Sequence, residues 1–244
     1  MFDSLKKKFQ FRFKDRTFAA SILAAALEDF LGKEKERKDD DDDNQLTTVL
    51  GIPRGGVIVA DILATKLKAS YFDIVIPRKL RIPNNEEAAF GAIMSGGTVY
   101  VDDRIIRDLD IQEEYIEKEK NFQLQEIKRR FTLYRKEEGV QQGLKNKIND
   151  STLTVLVDDG AASGATVIAA ARSIRNTFDP KKLIIALPVA PRETVDLLRR
   201  EADHVEVVTA PSSYFNSVGQ YYQSFEAISD EKVIEIMRNR NLLL

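Results

Sequence analysis

The residues with the clearest chemical potential are Val157-Asp158-Asp159-Gly160-Ala161-Ala162-Ser163-Gly164-Ala165-Thr166. A β-branched apolar run, Leu153–Val157, leads into them, and helical spacing resumes near Ala165. Gly160 and Gly164 permit tight backbone conformations, while Ala161 and Ala162 leave room for a ligand to approach the main chain. Successive N–H groups in such a loop, backed by a helix N-terminus, form a nest for a phosphate. Ser163 and Thr166 add hydroxyl donors. Asp158 and Asp159 would repel that anion, so they belong to another part of the ligand: sugar hydroxyls, reached directly or through Mg²⁺. A phosphate at one end and diol-binding carboxylates at the other describe a ribose 5-phosphate.

A second loop, Gly51-Ile52-Pro53-Arg54-Gly55-Gly56, also lies between an apolar run and a helical pattern. Gly55 and Gly56 admit an anion closely, and the Arg54 guanidinium is a forked donor suited to phosphate oxygens. The loop is neither a Walker loop, since no Gly-Lys-Ser/Thr follows, nor a Gly-x-Gly-x-x-Gly dinucleotide turn. Arg78 and Lys79, with Arg81 close behind, follow a further apolar run, Phe72–Pro77. Alone, they also allow a reading as solvated surface charge. Arg192 follows the run Leu183–Val189 and is a weaker candidate for ligand contact. His204, the only histidine, stands at a strand start with no partner visible in sequence and is read as structural.

These loops need a scaffold, and the rest of the chain supplies one. Its 244 residues, 43% hydrophobic and 31% charged, suit a single α/β domain with a packed core. Lys and Arg total 37 against 39 for Asp and Glu, so no net field draws the chain to nucleic acid or a membrane. Without cysteine, disulfides and thiolate metal sites are excluded. The segment Met1–Lys8 lacks a secretory apolar run, and no uncharged stretch approaches the roughly 20 residues of a spanning helix, so a cytoplasmic protein is expected. Phe9, Phe11 and Phe13 alternate as a short extended arm. Phe18, Ile22, Ala26 and Phe30 recur at helical spacing behind Asp15 or Thr17, with the helix ending near Gly32. Residues 33–44 form a charged block expected to be a mobile loop. Strands are expected at Leu46–Ile52, Phe72–Pro77, Leu153–Val157, Leu183–Val189 and Val205–Thr209, and helices at Gly56–Leu67, Ala165–Thr177 and Pro191–Glu201. Residues 78–87 read as a loop, Ser95-Gly96-Gly97 as a hairpin turn, and 103–138 as a long helical insertion with an apolar stripe at Leu124, Ile127, Phe131 and Tyr134. Strands separated by helices imply a mostly parallel sheet, with ligands beyond the carboxyl ends of its strands.

The run of apolar strand, Asp158-Asp159, small-residue loop and Gly164-Ala165-Thr166 resembles the phosphoribosyl-pyrophosphate signature of type I phosphoribosyltransferases. Gly160 and Ala161 depart from the common pattern, which has larger apolar residues there, and this leaves subfamily and substrate open. Lys14-Asp15-Arg16-Thr17, Pro53-Arg54-Gly55-Gly56, Arg78-Lys79-Leu80, Val157-Asp158-Asp159-Gly160 and Val218-Gly219-Gln220-Tyr221 are similar to segments of a prokaryotic stand-alone group in that family. The resemblance covers nearly everything except the acidic block. It implies one domain over residues 1–244, with a mostly parallel sheet flanked by helices. A hood is built from the chain ends, with residues 210–244 as its C-terminal part. By the same resemblance Asp158 and Asp159 hold the ribose hydroxyls and, through ribose or water, Mg²⁺. Gly160, Ala161, Ala162, Ser163, Gly164, Ala165 and Thr166 hold the 5′-phosphate. Arg54, Gly55, Gly56, Arg78 and Lys79 hold pyrophosphate, in a loop where strained or cis peptides are common, and Lys79 joins the acidic pair as a catalytic candidate. Residues 84–91 would belong to a mobile lid. Tyr214 and Phe215, with Arg192, are the weaker candidates for a nucleobase-like acceptor, although core packing explains most of the C-terminal aromatics equally well. The implied activity is Mg²⁺-dependent transfer of ribose 5-phosphate from phosphoribosyl pyrophosphate to a nitrogenous base, as in nucleotide salvage, by a homodimer. A non-catalytic phosphoribosyl-pyrophosphate-binding regulator is the alternative.

Overall fold

The chain alternates helices and strands in the order α1 (Arg16–Lys38), β1 (Thr47–Gly51), α2 (Gly55–Lys66), β2 (Tyr71–Ile74), β3 (Arg78–Ile82), β4 (Asn85–Ile93) and β5 (Val99–Val101), then α3 (Asp103–Asp108), α4 (Glu113–Tyr134), β6 (Leu153–Val157), α5 (Ala165–Phe178), β7 (Leu183–Val189), α6 (Arg192–Leu198), β8 (His204–Thr209), a 3₁₀ turn at Val218–Tyr221, and α7 (Asp230–Asn241). The computed structural model describes residues 12–38, 46–134, 148, 151–212 and 214–241. Phe9, Phe11 and the five aspartates from Asp39 to Asp43 lie outside them.

β1, β6 and β7 are buried along their whole length and need cover on both faces. Alternate residues divide between two cores. Val49, Val155 and Ile184 pack with α1 and α2 on one face, and Leu50, Leu156 and Ile185 pack with α5 on the other. The strands form a five-stranded parallel sheet in the order β2-β1-β6-β7-β8. The chain leaves β1 toward β2 on one side and leaves β6 toward β7 on the other, so the order reverses between β1 and β6. Gly51 lies opposite Val157 in that pair, so the two strands end level. An open α/β sheet forms its ligand crevice beyond the carboxyl ends at such a switch point. The loops after β1 and β6 therefore face each other there.

Asp15 Oδ1 accepts the Phe18 N–H at 2.8 Å and caps α1. The helical period is as expected but its phase is not: Ala20, Leu23, Ala24 and Leu27 form the buried stripe, and Phe18 is exposed. The helix also runs past Gly32 to Lys38, six residues into the segment read as a loop. One interior glycine costs only about 1 kcal/mol, against which stand the Asp29–Lys33 pair and the ion pair of Glu34 with Lys182.

Residues 78–87, read as a loop, instead form β3 and the start of β4, turning at Pro83-Asn84. Asn84 takes a φ of 60°, a conformation asparagine tolerates. β3, β4 and β5 make a separate antiparallel sheet, with the β4–β5 turn at Ser95-Gly96-Gly97 as expected. Residues 84–91 are thus mainly paired strand. The insertion splits into α3 and α4 at Leu109–Gln112, where Asp110 has a φ of 48°. Ile127 and Tyr134 are buried in the main core, with Leu124 and Phe131 packed against it.

The chain ends meet. Phe13 N–H donates to the Tyr221 carbonyl and Gln223 N–H to the Phe13 carbonyl, both at 2.8 Å, and Phe13, Tyr221 and Tyr222 are buried together. His204 stacks on Phe30 at 3.6 Å and lies 3.0 Å from Glu206 Oε2, the partners that the sequence did not reveal. Among the described residues no helix is long and apolar enough to cross a membrane.

Candidate functional site

β6 ends in Val157, and Asp158 opens the turn into α5. Gly164, at φ 77°, occupies the N-cap position of α5, in a left-handed conformation that suits glycine. The Ala161 N–H is bound to the Val189 carbonyl at 3.0 Å, pinning the loop to the end of β7. Among the described residues the N–H groups of Ala162, Ser163, Gly164 and Thr166 make no hydrogen bond, and Ala162 and Ser163 are exposed. The turn therefore lies open, with donors to spare at a helix N-terminus, which is what an anion requires.

The loop after β1 approaches so closely that side chains are excluded. A Cβ at Gly55 would stand 1.9 Å from Asp159 Oδ2, and one at Gly56 would stand 2.7 Å from Asp158 Cα. The Pro53–Arg54 peptide is cis, a feature the sequence left open. Arg54 Nη1 lies 3.6 Å from Asp230 Oδ1 at the start of α7, and the same carboxylate oxygen accepts the Tyr134 hydroxyl at 2.5 Å.

Asp158 and Asp159 are distinguished by their surroundings. Asp158 Oδ1 accepts the Asp159 N–H at 2.8 Å. Burial first, then the charge of Asp159, push the Asp158 carboxyl well above the ordinary carboxylate range, and Lys79 counteracts them. Asp159 Oδ2 accepts from Arg16 Nε at 2.7 Å, and its carbonyl accepts the Tyr222 hydroxyl at 2.6 Å. Burial, with the negative charge of Asp159 second, raises that tyrosine above its usual value.

The third group comes from β3, held by α4. Arg78 Nε donates to Oε1 of the fully buried Gln123 at 2.9 Å, Gln123 Nε2 donates to Glu119 at 2.8 Å, and Glu119 accepts the Arg81 N–H at 3.0 Å. Arg130, further along α4, is held through Nε by Glu126 at 2.9 Å. Burial, then the charge of Arg130, hold the Arg78 guanidinium below its ordinary value, and Arg81 adds to this. Glu126 and Glu119 act in the opposite direction and partly offset the crowding of cations.

One cleft of about 350 Å³ gathers these groups. Arg54, Gly55, Arg78, Lys79, Asp158, Asp159 and every residue of 160–166 line it, as do Arg81, Arg130 and Val218. Gly56 lies behind Asp158 rather than on the wall. Arg192, Tyr214 and Phe215 line a second cleft of about 570 Å³ that shares Ala162 and Ser163 with the first. Tyr214 is 81% exposed, while Phe215 stacks on Tyr221 at 5.2 Å. Two residues at the site carried no assigned role in the sequence reading. Arg130 sits in an ordinary Lys128-Arg129-Arg130 run, and Arg16 belonged to a recurring segment with no chemistry attached.

Among the described residues no group of three or more His, Cys, Asp or Glu could hold a metal. Two carboxylates, each with one oxygen engaged, fit a Mg²⁺ that keeps its waters and takes further oxygens from a phosphorylated ligand.

No protein-family model matches the chain. It is similar to two Mycobacterium tuberculosis proteins provisionally named phosphoribosyl transferases, MT0597 of strain CDC 1551 / Oshkosh and Rv0571c of strain H37Rv. Each is 32% identical over 225 residues, covering 92% of this chain and 46% of the relative. The chain thus spans about half the length of the curated relatives it matches. Among solved structures it is similar to TT1426 from Thermus thermophilus, at 31% identity and a TM-score of 0.64, covering 94% of this chain and 99% of that one.

Proposed function

We propose that this chain, which belongs to the phosphoribosyltransferase family of the relatives it matches, binds phosphoribosyl pyrophosphate in the switch-point cleft and transfers its ribose 5-phosphate to a nitrogenous base. One observation carries this reading. The donor-rich loop, the acidic pair and the cations of Arg54, Arg78, Lys79 and Arg130 line a single cleft, which brings together the three kinds of group that a 5′-phosphate, a diol and a diphosphate need.

The reaction breaks the bond between C1′ and the diphosphate oxygen as the acceptor nitrogen forms its bond to C1′. The electron pair leaves on pyrophosphate. No covalent catalyst is required, so the protein acts by position and charge. Amides of Ala162, Ser163, Gly164 and Thr166 anchor the phosphate, Asp158 and Asp159 accept from the ribose hydroxyls, and the four cations stabilise the growing charge on the leaving group. Mg²⁺, held through Asp158 and Asp159 by way of ribose or water, would neutralise further charge on the diphosphate. The adjoining cleft at Arg192, Tyr214 and Phe215 offers an exposed aromatic surface for a flat acceptor.

Calorimetry with phosphoribosyl pyrophosphate and Mg²⁺, followed by pyrophosphate release across a panel of nucleobases, tests the reading. Binding with release on one or more bases is expected. Binding without release on any base identifies a ligand-sensing regulator instead, and no binding refutes the assignment of the cleft.

A further inference from the structure

Arg16 has no part in the reading above, yet it makes the closest side-chain contact to the acidic pair. It opens α1, 143 residues from Asp159 in sequence. Its guanidinium is restrained in three ways. Nε donates to Asp159 Oδ2 at 2.7 Å, Nη1 donates to the Glu226 carbonyl at 2.8 Å, and the group lies 3.8 Å over the Phe225 ring. The Asp159 main chain is gripped as well, its carbonyl accepting from Tyr222 at 2.6 Å. Tyr222, Phe225 and Glu226 belong to the C-terminal segment, which pairs with the N-terminal one through Phe13 and through the Ser224 N–H on the Lys14 carbonyl at 3.0 Å. The two chain ends thus form a yoke that closes on one residue of the loop.

This contact restricts what Asp159 can offer. With one oxygen, Oδ2, committed to Arg16 and close against the main chain of Gly55, the plane of the carboxylate is held in one orientation. Only Oδ1 is left to the cleft, in one orientation. We propose that Arg16 is a positioning residue. By locking Asp159 it aims the remaining oxygen at a ribose hydroxyl and makes the site select a sugar diol over a phosphate ester that lacks one. The proposal rests on the phosphoribosyl reading of the cleft. It concerns geometry rather than net charge, because a lysine would neutralise Asp159 but lacks the planar fork that binds Asp159 and Glu226 at once while stacking on Phe225.

The test is calorimetry on the full chain with ribose 5-phosphate, 2-deoxyribose 5-phosphate and inorganic phosphate, alongside thermal melts. Wild type should prefer the ribose ester by roughly tenfold or more, as for one hydrogen bond to a charged acceptor. Arg16→Met and Arg16→Lys should both reduce that preference to about threefold or less while inorganic phosphate binds as before, which a loss of folding would not allow. Phe225→Ala, at a residue 37% exposed, keeps the arginine but removes the ring beneath it and should reduce the preference part way even if Arg16 variants fail to fold. A full preference in folded Arg16→Met, in Arg16→Lys or in Phe225→Ala overturns the proposal. If wild type itself binds neither sugar ester, or binds them equally, the phosphoribosyl reading fails and the proposal falls with it.

Discussion

Gly56→Ala tests the close approach on which the site is built. The added Cβ would lie 2.7 Å from both Asp158 Cα and Asp158 Oδ1, and 3.0 Å from the Val157 carbonyl oxygen. Carbon atoms in contact sit about 3.5–4.0 Å apart, so the overlap with Asp158 Cα is roughly 1 Å. That atom is main chain and cannot swing aside, so either α2 or the phosphate loop must retreat. Overpacking of this kind costs about 1–3 kcal/mol, and alanine returns up to about 1 kcal/mol through helix propensity in α2. A net loss of about 1–2 kcal/mol follows, which with a urea slope near 2 kcal/mol/M lowers the midpoint by roughly 0.5–1 M. Ribose 5-phosphate affinity should fall with it if Asp158 holds the ribose as proposed. Gly55→Ala supplies the contrast. Its Cβ meets Asp159 Oδ2 at 1.9 Å and Arg16 Nε at 2.9 Å, so it displaces the Arg16–Asp159 pair rather than main chain. Loss of that nearly buried pair should lower the urea midpoint as well, and ribose 5-phosphate affinity should drop with it. Wild-type midpoint and affinity in Gly56→Ala would overturn this account of the loop contact, and so would a Gly55→Ala protein that loses stability yet binds normally.

Asp159→Asn should lower pyrophosphate release by roughly 10²-fold or more, the effect of losing one preorganised electrostatic group, as measured by steady-state turnover. Arg54→Glu and Arg130→Met should each weaken pyrophosphate binding by roughly tenfold or more. Arg129→Met, which shares Glu126 but does not line the cleft, should leave it unchanged, with inhibition by pyrophosphate as the readout. Hydrogen bonds from Arg129 and then Arg130 pull Glu126 from 4.5 down to about 2. A depressed folded-state value stabilises above the unfolded one, so this contribution is complete above pH 4.5 and is lost as pH falls toward about 2. Glu126→Gln should therefore flatten the acid limb of a urea-unfolding series over that window.

Local rules made much of this protein legible in its sequence. Short apolar runs rich in β-branched residues placed β6 and β7 at their observed bounds, and the small residues after Asp159 marked the open turn before α5, because strand burial and backbone freedom are properties of adjacent residues. Asp158, Asp159, Arg54 and Lys79 were legible for a related reason: each lies just beyond an apolar strand run, and parallel sheets collect strand ends on one edge. Contacts between distant segments emerged only on folding. The buried face of α1 fell on Leu23 and Leu27 rather than on Phe18, since helical spacing fixes a period while the neighbour fixes the phase. The charged segment after Pro77 became a strand because β4 was there to pair with it. Arg16 and Arg130 reached the cleft from helices far along the chain, and nothing within a few residues of either signals where a guanidinium will end. Local spacing encodes what a segment is; its partners are chosen by the packing of the whole chain.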